Sequence, residues 1–160
     1  MSTPTVLTVC LGNICRSPTA EAAIWEAAAE ADIDLQVHSA GTGDWHVGAP
    51  PDRRMTDAAA EIGLELAGVA VQVDAAMLRD ADLVLAMDRS NLRDLEKMAA
   101  RGDIDTEIRL FRDFDPDPGD GEVPDPYYGG LDGFVEVVEI VRRTAREVVR
   151  YVAERHAEPT

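Results

Sequence analysis

Apolar residues along this 160-residue chain follow two alternating rhythms. Short apolar runs occur at "TVLTVC" (Thr5–Cys10) and "DLVLAM" (82–87), and short mixed segments of strand type at "DLQVHSA" (34–40) and "EIRLF" (107–111). Segments this short predict strands, and the β-branched first one reads as a buried strand. Between them the period changes to that of a helix. Ser17 and Pro18 suit a helix start, as N-cap and first-turn residue, and "TAEAAIWEAAAEA" carries Ala20, Ile24 and Ala27 on one face. Further helices are predicted over 52–63, with Gly63 as the stop, over 74–81, and over 88–102, ending at Gly102. A last helix over 131–154 places Phe134, Val138, Val141, Ala145, Val148 and Val152 in one stripe. "RDFDPDPGDGEVPDPYYGG" (112–130) is broken by Pro and Gly and predicts a long acidic loop.

Strands that alternate with helices imply a parallel sheet covered on both faces by crossovers. The expected fold is therefore three-layer α/β: a four-stranded parallel sheet in flavodoxin-like order, flanked by helices. No internal repeat or linker divides the chain, and one domain over 1–160 is expected. In such folds ligands sit beyond the carboxyl ends of the strands, near the point where the strand order reverses. Cys10, at the end of the first strand, falls there.

Composition narrows the function classes. The hydrophobic fraction of 46% and charged fraction of 29% are those of a globular protein, and no apolar run has the length of a membrane span. "MSTPTVLTVC" has no basic segment ahead of an apolar one, so cytoplasmic residence is expected, with signal-independent secretion left open. A net charge of −16 argues against nucleic-acid binding, which needs a basic face. The acidic surface reads as an aid to solubility rather than as a partner's imprint. Two cysteines and three scattered histidines are too few for a disulfide framework or a structural zinc site.

The chemistry concentrates in "VCLGNICRSPTAEA". Its loop joins a strand end to a helix N-terminus, and Gly12 and Asn13 both tolerate left-handed backbone, so successive amides can turn inward as an anion nest. The helix dipole adds to that positive field. Arg16 supplies a planar fork able to hold two phosphate oxygens. A thiol at the floor of this cradle is favoured as the thiolate and becomes a nucleophile beneath a bound tetrahedral oxyanion. Such a nucleophile needs an acid to protonate a phenolic leaving group. Asp125 in "VPDPYYGG" is the candidate, its backbone restricted by Pro124 and Pro126, with Tyr127 and Tyr128 able to wall an aromatic slot. Asp113, Asp115, Asp117 and Asp120 compete for the role on spacing alone.

Taken together, "VCLGNICRSPTAEA", "SAGTGDWHVGAPPD", "LAMDRSN" and "DPYYGG" resemble, in order and over nearly the full length, the low-molecular-weight protein tyrosine phosphatases. The resemblance implies Cys10 as nucleophile, Arg16 as phosphate clamp and Asp125 as general acid, then base, in hydrolysis through a cysteinyl-phosphate, with no metal or other cofactor. It implies that the loop residues Leu11, Gly12, Asn13, Ile14, Cys15 and Ser17 bind the phosphate. Ser17 would hydrogen-bond the leaving thiolate, and Asn13 and Ser39 would hold the loop in shape. Trp45, Tyr127 and Tyr128 would line the entrance. The implied substrates are tyrosine-phosphorylated proteins or small aryl phosphates, acted on by a monomer.

Relatives of the same fold offer other readings. Arsenate reductases shuttle a disulfide through cysteines outside the loop, and this chain has none. Protein-arginine phosphatases resemble "CTGNTCRSP", with threonine where Ile14 stands here; an apolar residue suits an aromatic ester better. A silent phosphate-binding module is a third alternative. Cys15 has two readings, a packing residue or a partner that captures oxidised Cys10 as a disulfide and so makes peroxide inactivation reversible. One departure stands out: "LAGVAVQV" (66–73) lacks the basic, histidine-bearing support that family members often carry behind the phosphate loop.

Overall fold

The structure, a computed structural model, describes residues 3–127 and 129–157. Tyr128, expected at the entrance, lies outside the described residues. Four strands, β1 (Thr5–Cys10), β2 (Gln36–Gly41), β3 (Leu83–Ala86) and β4 (Glu107–Leu110), form one parallel sheet in the order β2-β1-β3-β4. This is the flavodoxin-like order expected. The strands are joined by α1 (Arg16–Glu30), α2 (Arg53–Ala60), α3 (Ala75–Asp80) and α4 (Arg89–Gly102), and α5 (Leu131–Ala157) follows the acidic loop. Among the described residues no helix is long and apolar enough to cross a membrane.

Alternation along the two inner strands explains why their runs are almost wholly apolar. Val6, Leu83 and Leu85 face a core built with α1, α2 and α5, while Leu7, Val9, Val84 and Ala86 face a second core with α3 and α4. Both faces of the inner strands β1 and β3 are covered, so these are apolar but for Thr5 and Thr8, whereas the outer strands β2 and β4 carry Gln36, His38, Glu107 and Arg109 at exposed or half-buried positions. Register fixes the strand ends: Val9 pairs with Ala40 on one side and Ala86 on the other. The carboxyl ends of β1 and β3 therefore open together at the point where the strand order reverses.

The predicted stripe on α5 is buried throughout, with Phe134, Val141, Ala145 and Val148 fully inaccessible. Several boundaries differ from the sequence pattern; α5, for one, runs on to Ala157. α2 stops at Ala60, before Gly63, whose left-handed φ of 81° instead turns the chain away. Phe111 leaves β4 and opens a short 3-10 turn to Phe114. α1 begins at Arg16, one residue before the predicted cap, and Ser17 is not its N-cap. The serine hydroxyl turns inward instead, for a reason that the site makes plain.

Candidate active site

The loop after β1 wraps around one sulfur atom. Cys10 is 2% exposed; the backbone amide of Asn13 donates to its Sγ at 3.2 Å, and Ser17 Oγ lies 3.1 Å away. That contact is what takes Ser17 from capping duty. Asn13 adopts φ 57°, a left-handed conformation that asparagine tolerates better than other side-chain-bearing residues. Gly12 does not share it. Its lack of a side chain is needed for another reason: a Cβ there would stand 2.9 Å from His46 Cδ2. Gly41, at the end of β2, is held to the same economy, since a Cβ would meet Leu11 O at 2.8 Å and Asn13 N at 3.1 Å.

Asn13 knits the loop to the rest of the fold. Its Nδ2 donates to Ser17 Oγ and to Ser39 Oγ, both at 2.9 Å, and its Oδ1 accepts from the Val71 amide at 2.9 Å. The departure in residues 66–73 is thus answered by backbone: the Val71 amide supports the loop in a stretch without histidine or arginine. Behind Ser39 stands Glu21. Burial pushes its carboxyl pKa up, against the opposing pull of Ser39 and His38.

Arg16 is 3% exposed and aimed across the switch point. Its Nη1 donates to Asp88 Oδ2 at 2.7 Å and to Val123 O at 3.2 Å, and its Nη2 lies 3.5 Å from Asp125 Oδ2. Burial works against the guanidinium charge, but Cys10, Asp88 and Asp125 outweigh it and hold the pKa above its usual value. The fork is permanently cationic and fixed in one plane. Asp88 is a residue that the sequence pattern did not single out. As the N-cap of α4 its Oδ1 accepts from the Asn91 amide at 2.8 Å, and the cap role hides the second oxygen's bond to Arg16.

Above the thiol opens a cleft of about 360 Å³, large enough for a phosphorylated aromatic ring. Leu11, Gly12, Ile14, Cys15 and Arg16 form its floor and walls; Asp125 and Tyr127 close it on one side, Trp45 and His46 on the other. Asn13, Ser17 and Ser39 sit behind the loop rather than in the cleft. Trp45 is 71% exposed at the rim. His46, missed in the sequence, packs its ring 5.9 Å from that of Tyr127. Arg54, paired with Asp52, reaches over the rings of Tyr127 and Phe134 at 5.3 and 4.7 Å. Neither residue could have been found from spacing, because both come from the loop and helix after β2.

Geometry also separates the competing carboxylates. Asp115 is fully buried between Arg112 and Arg143, Asp113 lies 3.5 Å from Arg109, and Asp117 and Asp120 line a different cleft. Of the five, Asp125 is the one that lines the cleft above Cys10, with its Oδ1 accepting from the Tyr127 amide at 3.1 Å. Cys15 shares the wall with its thiol buried. Burial, then the charges of Asp52, Cys10 and Asp125, push its pKa well up, so it is a neutral thiol.

A doubly wound α/β sheet whose first crossover loop cradles a thiol, with an arginine fork beside it and a carboxylate across the mouth, is an arrangement suited to holding a tetrahedral oxyanion above that thiol. The family profile described as low molecular weight phosphotyrosine protein phosphatase matches residues 5–158, and the chain belongs to that family, one of phosphoric monoester hydrolases. It is 40% identical over 150 residues to the low molecular weight protein-tyrosine-phosphatase of Streptomyces coelicolor, covering 91% of this chain and 92% of that one. A crystal structure of protein tyrosine phosphatase from Entamoeba histolytica, with Hepes in the active site, superposes with a TM-score of 0.89 at 30% identity, over 96% and 99% of the two chains. The crystal structure of a Drosophila arginine phosphatase superposes with a TM-score of 0.87 at 31% identity, over 92% and 96%. The fold alone therefore does not choose between the two phosphoamino acids.

Proposed function

We propose that this chain hydrolyses phosphotyrosine and related aryl phosphate monoesters through a cysteinyl-phosphate. The observation that carries the reading is the convergence of Cys10, Arg16 and Asp125 on one cleft of about 360 Å³. The Cys10 thiolate attacks phosphorus in line. The equatorial oxygens, where charge is spread in the transition state, meet the Arg16 fork and the loop amides. As the P–O bond to the ring breaks, Asp125 gives its proton to the departing phenolate oxygen. A water then attacks the phosphocysteine, its proton passing to the Asp125 carboxylate. The S–P bond breaks to release orthophosphate, while Ser17 Oγ, 3.1 Å from Sγ, donates to the returning thiolate. Fixed donors aimed at developing charge supply the catalytic electrostatics, and the scheme calls for no metal.

Phosphotyrosine is favoured over phosphoarginine by the wall of the cleft. Ile14, Leu11, Trp45 and Tyr127 offer apolar and aromatic surface to a ring, and among the described residues no carboxylate other than Asp125 lines the cleft to pair with a guanidinium. The protein acts, in this reading, as a cytoplasmic single-domain monomer on phosphoproteins or small aryl phosphates. The test is turnover of phosphotyrosine peptide, phosphoarginine and an aryl phosphate in chelator. Phosphotyrosine turnover that Cys10→Ser abolishes is expected. Activity no greater than that of Cys10→Ser would make the chain a phosphate-binding module, and a preference for phosphoarginine would reassign the substrate.

A further inference from the structure

The acidic loop poses a mechanical problem. Residues 116–122, "PDPGDGE", contain no buried position, and Gly119 and Gly121 both take left-handed backbone. Packing cannot hold such a segment, yet it delivers Asp125 to a cleft where a misplacement of about 1 Å can cost roughly 100-fold in rate. What holds it is charge. Arg112, 7% exposed in the 3-10 turn after β4, spends its guanidinium on this loop: Nε donates to Asp115 Oδ2 at 2.9 Å, Nη2 to Asp117 O at 2.8 Å and Nη1 to Glu122 O at 2.8 Å. Arg143, from α5, grips the same points. Its Nε donates to Asp115 Oδ1 at 2.8 Å, and its Nη2 to Asp115 Oδ2 and to Asp117 O, both at 3.1 Å. Asp115 completes the knot by accepting from the Asp117 amide at 2.9 Å.

Beyond the knot the chain has little slack. Val123, 1% exposed, donates from its amide to Met87 O at 2.8 Å and accepts from Arg16 at 3.2 Å. Pro124 and Pro126 then fix φ on both sides of Asp125. From the carbonyl of Glu122, held by Arg112, to Asp125 is three residues. We propose that Arg112, Asp115 and Arg143 are positioning residues for Asp125: they fix where the carboxyl meets the leaving oxygen, although none of them lines the cleft. The proposal rests on the reading of Asp125 as the leaving-group acid.

A knot that merely stabilises the fold would affect all substrates alike. One that places the acid affects substrates in proportion to their need for a proton. The experiment compares kcat/KM for phenyl phosphate, whose leaving group has a pKa of about 10, with that for a strongly activated aryl phosphate whose phenolate departs unprotonated. General acid catalysis is worth ~10²–10⁴-fold. Arg112→Lys is thus expected to lower the phenyl-to-activated ratio by ~10-fold or more while inhibition by inorganic phosphate stays close to the parent's. Arg143→Lys, at a half-exposed side chain, should move the ratio the same way by less, and it carries the test if Arg112→Lys does not fold. In an Asp125→Asn background Arg112→Lys should change the ratio no further. A folded Arg112→Lys or, failing that, Arg143→Lys with the parent's ratio would overturn the proposal while Asp125→Asn still lowers that ratio. If Asp125→Asn itself keeps the parent's ratio, the acid reading falls, and this inference with it.

Discussion

Replacing Asn13 with alanine attacks the loop at its most connected point. Three hydrogen bonds end on this side chain, to Ser17 Oγ, to Ser39 Oγ and from the Val71 amide, each 2.9 Å long and shielded by a residue that is 3% exposed. At about 1 kcal/mol net for each, their loss costs about 2–4 kcal/mol. Alanine must also keep the left-handed φ of 57°, a strain of about 1–2 kcal/mol that asparagine relieves in part. The total, about 3–6 kcal/mol, is a large share of the roughly 5–15 kcal/mol by which a domain of this kind is stable. Urea unfolding of the parent and Asn13→Ala measures it directly, provided the m-value is unchanged. Ser39→Ala supplies the cross-check: its cost should be smaller in the Asn13→Ala background, because the shared bond is already gone. A loss below about 1 kcal/mol, or strict additivity with Ser39→Ala, would refute the view of Asn13 as the loop's tie.

Four further outcomes follow from the same geometry. Gly41→Ala should destabilise the protein and weaken phosphate inhibition together, since its Cβ would press on Leu11 O and Asn13 N from 2.8 and 3.1 Å; calorimetry and a phosphate Ki check both. Trp45→Ala, at a side chain 71% exposed, should leave stability within about 0.5 kcal/mol of the parent. The same variant should raise KM for aryl phosphates about 2–10-fold, the worth of one aromatic contact. Asp115→Asn leaves Arg112 with a buried charge unmatched and should cost about 3–5 kcal/mol at neutral pH. Burial opposes the Asp115 charge, but the bonds from Arg143, the Asp117 amide and Arg112 outweigh it and depress its pKa. That stabilisation is complete above the unfolded value of about 3.9 and is lost as pH falls through the lower folded value, so the gap between parent and variant should close in acid urea titrations. Finally, because burial keeps Cys15 a neutral thiol, any capture of peroxide-oxidised Cys10 by Cys15 should gain with pH. Recovery of the parent over Cys15→Ala after thiol treatment should widen from about pH 6 to about pH 9, and equal recovery throughout would leave Cys15 a packing residue.

Much of this was legible in the one-dimensional pattern. The apolar runs of β1 and β3 mark the inner strands, which are buried on both faces, and the mixed runs of β2 and β4 mark the outer ones. The order of strands and helices determines a parallel sheet with a crevice at its carboxyl edge. "CLGNICR" is a local unit, a strand end, a turn and a helix start, so its cradle could be read before folding was known. Asp125 was nameable from its flanking prolines and from the family resemblance, but spacing alone left four other carboxylates beside it. It stands in the cleft at the end of an ion-paired loop held by Arg112 and Arg143, which lie 13 residues before it and 18 after it in the chain.

Asp88, His46, Arg54 and the Val71 amide were invisible for the same reason. Each meets the loop from a separate element, and the meeting distances are properties of packing rather than of spacing. Ser17 shows how the two levels compete: its local preference is to cap α1, yet the fold places a sulfur 3.1 Å from its hydroxyl and the tertiary contact wins. Sequence alone thus determined the elements and the cradle, because those arise from local backbone geometry and apolar period. Only the tertiary structure decided which charges face the cradle, because electrostatic partners are chosen by distance through space, and the chain brings them there from every strand end at once.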